Sequence, residues 1–422
     1  MEKTLEFKFF STSLTLSTYK NSEMKKYVIG FVLLIVLAQM SFGQTASSKN
    51  TMSKIIQDNF AFAAKQYQYL KANTPDSVMP RSYVNATGKS VTSDTKWWCS
   101  GFYPGTLWYL YAYTKDENIR KEAEKRLAIL EKEKYYTGNH DLGFMMYCSF
   151  GTAYKYTNNP AYKDVVTIAA KSLSTRYRPA IKSIQSWNSS ARLNCPVIID
   201  NMMNLELLHW VSDHGGDPIF KEIAVTHANT TIANQFRPDN SSYHVVDWDL
   251  NTATVLKKIT WQGAADSSAW SRGQTWGLYG YTMMYRFTKN PAYLSQAKKI
   301  AHFILSNPNL PSDKIPYWDF DAPGIPNEPR DASSGAIMAS ALLELGQFTT
   351  GTEKKEYIKT AETILQSLAS DAYRAKLGEN GGFILMHSVG SLPHKSEVDA
   401  PLTYADYYFI EALTRYKDWY LK

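Results

Sequence analysis

The sequence predicts an all-α protein: six helical hairpins closed into a toroid within one domain. Three observations carry this. A unit built from an aromatic residue, a threonine, a polar turn and an amphipathic run recurs along the chain. The segments preceding those turns are apolar on nearly every side. Strand-like alternation is scarce outside residues 240–262.

Taken in order, the recurring unit appears in LYAYTKDENIRKEAEKRLAIL (110–130), KYTNNPAYKDVVTIAAKSL (155–173), RFTKNPAYLSQAKKIAHFIL (286–305) and QFTTGTEKKEYIKTAETILQSL (347–368). HWVSDHGGDPIFKEIAVTHANTTI (209–232) is a looser copy. Apolar residues at three- and four-residue spacing, with lysine on the other face, predict helices that cover a core from outside. FYPGTLWYLYAY, FMMYCSFGTAYKY, NMMNLELLHW, QTWGLYGYTMMYRF and GAIMASALLELGQF instead predict buried inner helices. An open solenoid and a closed α/α toroid both fit this alternation. Aromatic and Gly-rich inner helices, with polar residues clustered at their leading ends, favour the closed form with a pocket at one mouth.

The first 43 residues read as an address. Met24-Lys25-Lys26 begins a basic segment, VIGFVLLIVLA (28–38) is an apolar run of eleven residues, and Ser41-Phe42-Gly43 ends in small residues. This is the pattern of a cleaved secretory signal starting at Met24, too short for a membrane span of about 20 apolar residues. The expected protein is residues 44–422, periplasmic or secreted from a bacterium, with no membrane partner after cleavage. The leader's five Lys and three Glu account for +2 of the formal +7, leaving +5. No Lys/Arg cluster forms a nucleic-acid footprint. Cys99, Cys148 and Cys195 are odd in number and widely spaced, unlike a disulfide framework.

The chemistry gathers before the inner helices. SDTKWWCSGFYPG (93–105) precedes the first, GNHDLGF (138–144) the second, and Asp200 opens the third within PVIIDNMMNLELLHW (196–210). WQGAADSSAWSRGQTWG (261–277), PRDASSGA (329–336) and EVDAPLTYADYY (397–408) lead the others. In a toroid these ends share one rim, predicting one concave site. Asp141 and Asp200 are the candidate catalytic pair, since glycoside chemistry commonly uses two carboxylates, one held protonated near neutrality. Asp200, among Ile and Met, is the better placed for a raised pKa; the bland alternative for each aspartate is a helix N-cap. Trp98, Trp187, Trp270 and Trp276 suit sugar faces or core packing. Arg272 suits a substrate carboxylate or a structural ion pair. His244 suits a substrate hydroxyl or ordinary packing. No metal-ligand spacing, phosphate loop or nucleophile elbow is present, so no metal or cofactor is expected. DSVMPRS (76–82) carries no readable signal.

Together WWCSGFYPG, NHDLGF, IIDNMMN, YHVVDWD, WQGAADSSAWSRGQTWGLYGY and PRDASSGAI resemble the unsaturated glucuronyl hydrolases, glycoside hydrolase family 88, from about residue 90 to the C-terminus. The resemblance implies an (α/α)6 barrel acting on oligosaccharides left by polysaccharide lyases. An acid protonates C4 of the unsaturated uronic acid, water adds at C5, and the hemiketal opens. It implies Asp200 as general acid and base with Asp141 as partner. His140, His244, Gln262, Trp270 and Arg272 are implied substrate contacts, with Trp98, Trp276 and Trp187 as walls. Family members that bind sulfated sugars carry Ser-x-x-Ser-x-Lys. Here Ser388 and Ser391 keep the spacing and Lys395 falls two positions late. Glycosaminoglycan disaccharides are the first expectation for substrate. An unsaturated rhamnogalacturonyl or ulvan-type hydrolase of the same fold is the enzymatic alternative. A periplasmic sugar-binding helical-repeat protein without catalysis is the other.

Overall fold

Two helix classes separate by burial, as their side chains dictate. The computed structural model describes residues 49–421, and the described residues from Met52 onward form one compact unit. The leader read from residues 1–43 lies outside the described residues. The outer helices are α1 (residues 49–72), α3 (Glu117–Leu130), α5 (Pro160–Ser174), α7 (Ile219–Asn234), α9 (Pro291–Ser306) and α11 (Gly351–Leu368). The inner helices are α2 (Phe102–Thr114), α4 (a π-helix over Gly143–Gly151 continuing through Thr152–Thr157), α6 (Asn201–Asp213), α8 (Ser271–Thr288), α10 (Ala332–Leu345) and α12 (Thr403–Tyr420). Every residue of α10 is buried, because ASSGAIMASALLEL offers water no polar face. Helix α5 buries Val165, Val166, Ala169, Ala170, Ser172 and Leu173, the stripe expected of a covering helix.

The repeated turn has one chemistry. Thr157 Oγ1 donates back to Ala153 O at 2.8 Å and accepts from Asn159 N at 3.2 Å. Asn159 Oδ1 then caps α5 by accepting from Ala161 N at 3.0 Å, with Pro160 opening the helix. Thr288, Asn290, Pro291 and Ala292 repeat these bonds at α9. Asp116 does the same for α3.

Each inner helix packs on the next, and α12 returns to α2, so the ring is closed. The first helix among the described residues completes the last hairpin: Tyr67 Oη of α1 donates to Asp406 Oδ2 of α12 at 3.2 Å. The alternative of an open solenoid is excluded by that closure.

Short strands collar the leading ends of the inner helices. They are β1 (Met79–Val84) with β2 (Lys89–Ser93), β3 (Tyr177–Arg178) with β4 (Ser183–Ile184), the sheet β5 (Cys195–Ile198), β6 (Val245–Trp248) and β7 (Val255–Ile259) in that order, and β8 (Ser388–Ser391) with β9 (Ser396–Ala400). All these pairings are antiparallel. Strand β5 runs directly into Asp200, and Ile199 N donates to His244 O at 3.1 Å, tying that turn to β6. The hairpins at 79–93 and 388–400 are strands outside 240–262, where the sequence shows little strand-like alternation. Each strand is six residues or fewer, too short for alternation to stand out.

Candidate active site

A cavity of about 320 Å³ opens at the mouth formed by the inner-helix N-termini. Its walls include Trp98, His140, Asp141, Trp187, Asp200, Gln262, Arg272 and Ser391. A larger cavity, about 430 Å³, lies at the other ends of the inner helices. Its carboxylates Glu206, Glu344 and Glu411 are engaged in ion pairs with Arg286 and Arg415. The chemistry belongs to the smaller one.

Neither aspartate is a helix cap. Asp200 precedes α6 in helical backbone conformation and makes no side-chain capping bond. It is 9% exposed, and its Oδ2 has no hydrogen-bond partner. Asp141, 8% exposed, lies ahead of the π-helical start of α4. Asn204, one turn into α6, joins the two. Its Nδ2 lies 3.5 Å from Asp141 Oδ1 and from Asp200 O, and its Oδ1 accepts from Phe144 N at 3.0 Å. Gly143 permits that approach, because a Cβ there would stand 2.6 Å from Asn204. A π-helical turn at a functional site is a recurrent association.

Burial raises both carboxyl pKa values. Asp141 is pushed up to about 8, by burial first and by the Asp200 charge second. Asp200 is pushed up to about 7 by burial, against the opposing pull of Arg272 and of the Trp276 indole. That indole N–H closes no hydrogen bond with it. The larger rise expected at Asp200 is therefore not seen; the two acids titrate as a coupled pair. His140 Nε2 lies 3.3 Å from Asp141 Oδ1, and burial holds this ring well below the usual histidine range.

The His244 tautomer follows from its neighbours. Trp261 N and Gln262 N both donate to Nδ1, at 3.1 and 3.2 Å, so the proton sits on Nε2. Nε2 has no hydrogen bond and lies 3.7 Å from Asp200 Oδ2. Burial pushes the ring's pKa down to about 3, so it stays neutral. It is a fixed donor aimed at the acid.

Several expected contacts are placed differently. Arg272 lines the cavity, but its fork is filled by Asp331 Oδ2 at 2.9 Å, Val389 O at 2.5 Å and Gly390 O at 2.6 Å. The structural ion pair is present, and Arg272 remains in the cavity wall. Trp270 stacks behind His244, ring centroids 4.5 Å apart, and is not a cavity wall. Trp276 is fully buried under the site. Ser388 accepts from Ser333 N at 3.1 Å, bracing α10, and is buried away from the cavity. Lys395 sits exposed in the β8–β9 turn, outside the wall. Ser391 does line it, hydrogen-bonded to His394 Nδ1 at 2.7 Å.

The sequence reading missed Arg81, Trp97, Trp261, His394, Ser396, Glu397 and Tyr404, all cavity walls. Arg81 comes from the segment that carried no signal; it pairs with Glu397 at 2.5 Å and stacks over Trp97 at 4.2 Å. Among the described residues no group of three or more His, Cys, Asp or Glu is placed to hold a metal ion. No helix among them is long and apolar enough to cross a membrane.

No protein-family model matches the chain. Similarity to whole proteins is strong. An unsaturated glucuronyl hydrolase of Formosa agariphila is 43% identical over 400 residues, covering 92% of this chain and 98% of that protein. The chain belongs to the unsaturated glucuronyl hydrolases. It is therefore a glycosidase with the (α/α)6 barrel of that family. A crystal structure of an unsaturated glucuronyl hydrolase specific for heparin superposes with a TM-score of 0.83 at 44% identity, covering 86% of this chain and 97% of that one. An aspartate-to-asparagine mutant of the Streptococcus agalactiae unsaturated glucuronyl hydrolase, complexed with dGlcA-GalNAc6S, matches with a TM-score of 0.74 at 28% identity, covering 86% and 92%. That Streptococcus agalactiae enzyme thus binds dGlcA-GalNAc6S on this scaffold.

Proposed function

We propose that Asp200 delivers a proton to C4 of a 4,5-unsaturated uronic acid and that Asp141 positions and tunes it. The observation that carries this is a buried pair of aspartates with both pKa values raised and one oxygen, Asp200 Oδ2, left without a partner. Asp141 is engaged by Asn204 and His140, which leaves Asp200 as the outlet for the pair's proton. Protonation at C4 places positive charge on C5 and the ring oxygen. Asp200, now anionic, takes a proton from the water that adds at C5. The resulting hemiketal opens, its C1 hemiacetal collapses, and the second sugar leaves with its glycosidic oxygen. Neutral His244 supports the anionic stage by donating through Nε2.

Glycosaminoglycan-derived unsaturated disaccharides are the proposed substrates, supported by the heparin specificity of the similar solved structure. Trp98, Trp187 and Gln262 contact the sugar, and Ser391 lies toward the second residue. The chain is exported through the leader before Gln44 and meets lyase products outside the cytoplasm. The test is ultraviolet absorbance with unsaturated disaccharides from chondroitin, heparin, ulvan and gellan. Wild type bleaches the C4=C5 chromophore of at least one, and Asp200→Asn bleaches none. Persistence of the chromophore throughout the panel overturns the reaction; bleaching of the ulvan product alone moves the substrate class.

A further inference from the structure

One buried cation, outside the cavity wall, ties together the segments that carry the site. Arg176 follows α5 and is 3% exposed. Its Nε donates to Gln185 O at 2.8 Å. Nη1 donates to Thr137 O at 2.7 Å and Asn188 Oδ1 at 3.1 Å, and Nη2 to Ser186 O at 3.1 Å. Thr137 begins the loop that ends in Asp141, and residues 185–188 bracket Trp187. Ser186 extends the frame further. Its hydroxyl donates to Asn201 Oδ1 and accepts from Ile198 N, both at 2.8 Å, on either side of Asp200.

All four guanidinium bonds end on neutral oxygens. A strap alone needs no net charge, and burying a guanidinium against carbonyl dipoles only is costly. The charge is thus left to act on ionisable neighbours: Asp141, His140, Tyr136, Cys195 and Arg178 face Arg176. Asp141 is also faced by Asp200 and His140, and Asp200 by Arg272 and His244.

We propose that Arg176 is a positioning residue for the hydrolysis: its fork holds the Asp141 loop, the Trp187 wall and the Asp200 turn in one frame, and its uncompensated charge acts on Asp141. This rests on the aspartate pair proposed above as the proton source. Arg176's charge favours the ionised form of Asp141, so removing it makes the pair hold its proton to higher pH.

The test compares full-length wild type with Arg176→Gln, Arg176→Lys and Asn188→Ala on unsaturated disaccharides across pH. In Arg176→Gln the alkaline limb of kcat moves up by about half a pH unit or more, and kcat falls about tenfold. In Arg176→Lys the limb stays in place while kcat/KM falls about tenfold, because an ammonium cannot span the four acceptors. Asn188→Ala loses one bond to the Trp187 loop and raises KM about threefold. A folded Arg176→Gln with the wild-type limb and kcat overturns the proposal, as does a folded Arg176→Lys with wild-type kcat/KM or an unchanged KM in Asn188→Ala, which decides alone if both Arg176 variants fail to fold. A wild type inactive on every disaccharide overturns the proposed reaction instead.

Discussion

At the scale of residues, the site is governed by desolvation. A carboxylate held above its usual range is a stability liability, and the sign follows from proton counting. The folded state binds the Asp200 proton up to about pH 7, whereas an unfolded aspartate releases it near pH 4. Between those values the folded state carries more protons, so stability falls as pH rises through the window. Asp200→Asn removes that penalty. Its melting temperature above pH 7 should exceed wild type by ~2–4 °C, and the gain should vanish near pH 4. The same variant should lose about a thousandfold in kcat. A melting curve no higher than wild type at pH 8 would place the charge in water, contrary to the burial described. Trp187, a wall rather than a proton carrier, should behave differently: Trp187→Ala raises KM by about five- to tenfold, read in the same absorbance assay.

At the scale of elements, the recurring turn decides where helices stop and start. Asn290→Ala removes the cap of α9 and should cost ~1 kcal/mol in urea unfolding, leaving the kinetics alone because α9 is remote from the mouth. A change in kcat would show that the outer ring communicates with the site. This turn was legible because its chemistry is local: Thr, Asn and Pro at fixed offsets say the same thing wherever they occur. Asp141 and Asp200 were legible because a charge in an apolar run stands out. Arg81 was not, since it reaches the cavity through hairpin packing that no short window encodes. Arg272 shows the remaining difficulty. Its apolar surroundings correctly announced that an anion must be close, and only the fold reveals that Asp331, 59 residues away, supplies it.

At the scale of the whole molecule, one end of the ring holds unpaired acid and the other holds paired charge. Glu344 is buried and pairs with the partly exposed Arg286 at 2.7 Å and with Arg415 at 3.0 Å. Glu344→Gln leaves Arg286 with Glu206 alone and Arg415 with Glu411 alone and should destabilise by ~1 kcal/mol, with kcat/KM retained in the surviving folded fraction. Equal stability would mean that water already screens that end. Closure of the ring was predictable from the repeat and the inner-helix composition. Of the strand collar only the part within 240–262 was, although the collar brings β5, β6 and β8 to the mouth and so sets the site.

The central claim is transfer of a proton to carbon, and product analysis in heavy water tests it most directly. The reaction is stopped after the first turnovers and the uronic acid fragment is examined by NMR. One deuterium on a single face of C4, with the double bond gone, is the predicted result. A released sugar that keeps its C4=C5 bond and carries no deuterium at C4 would contradict the account.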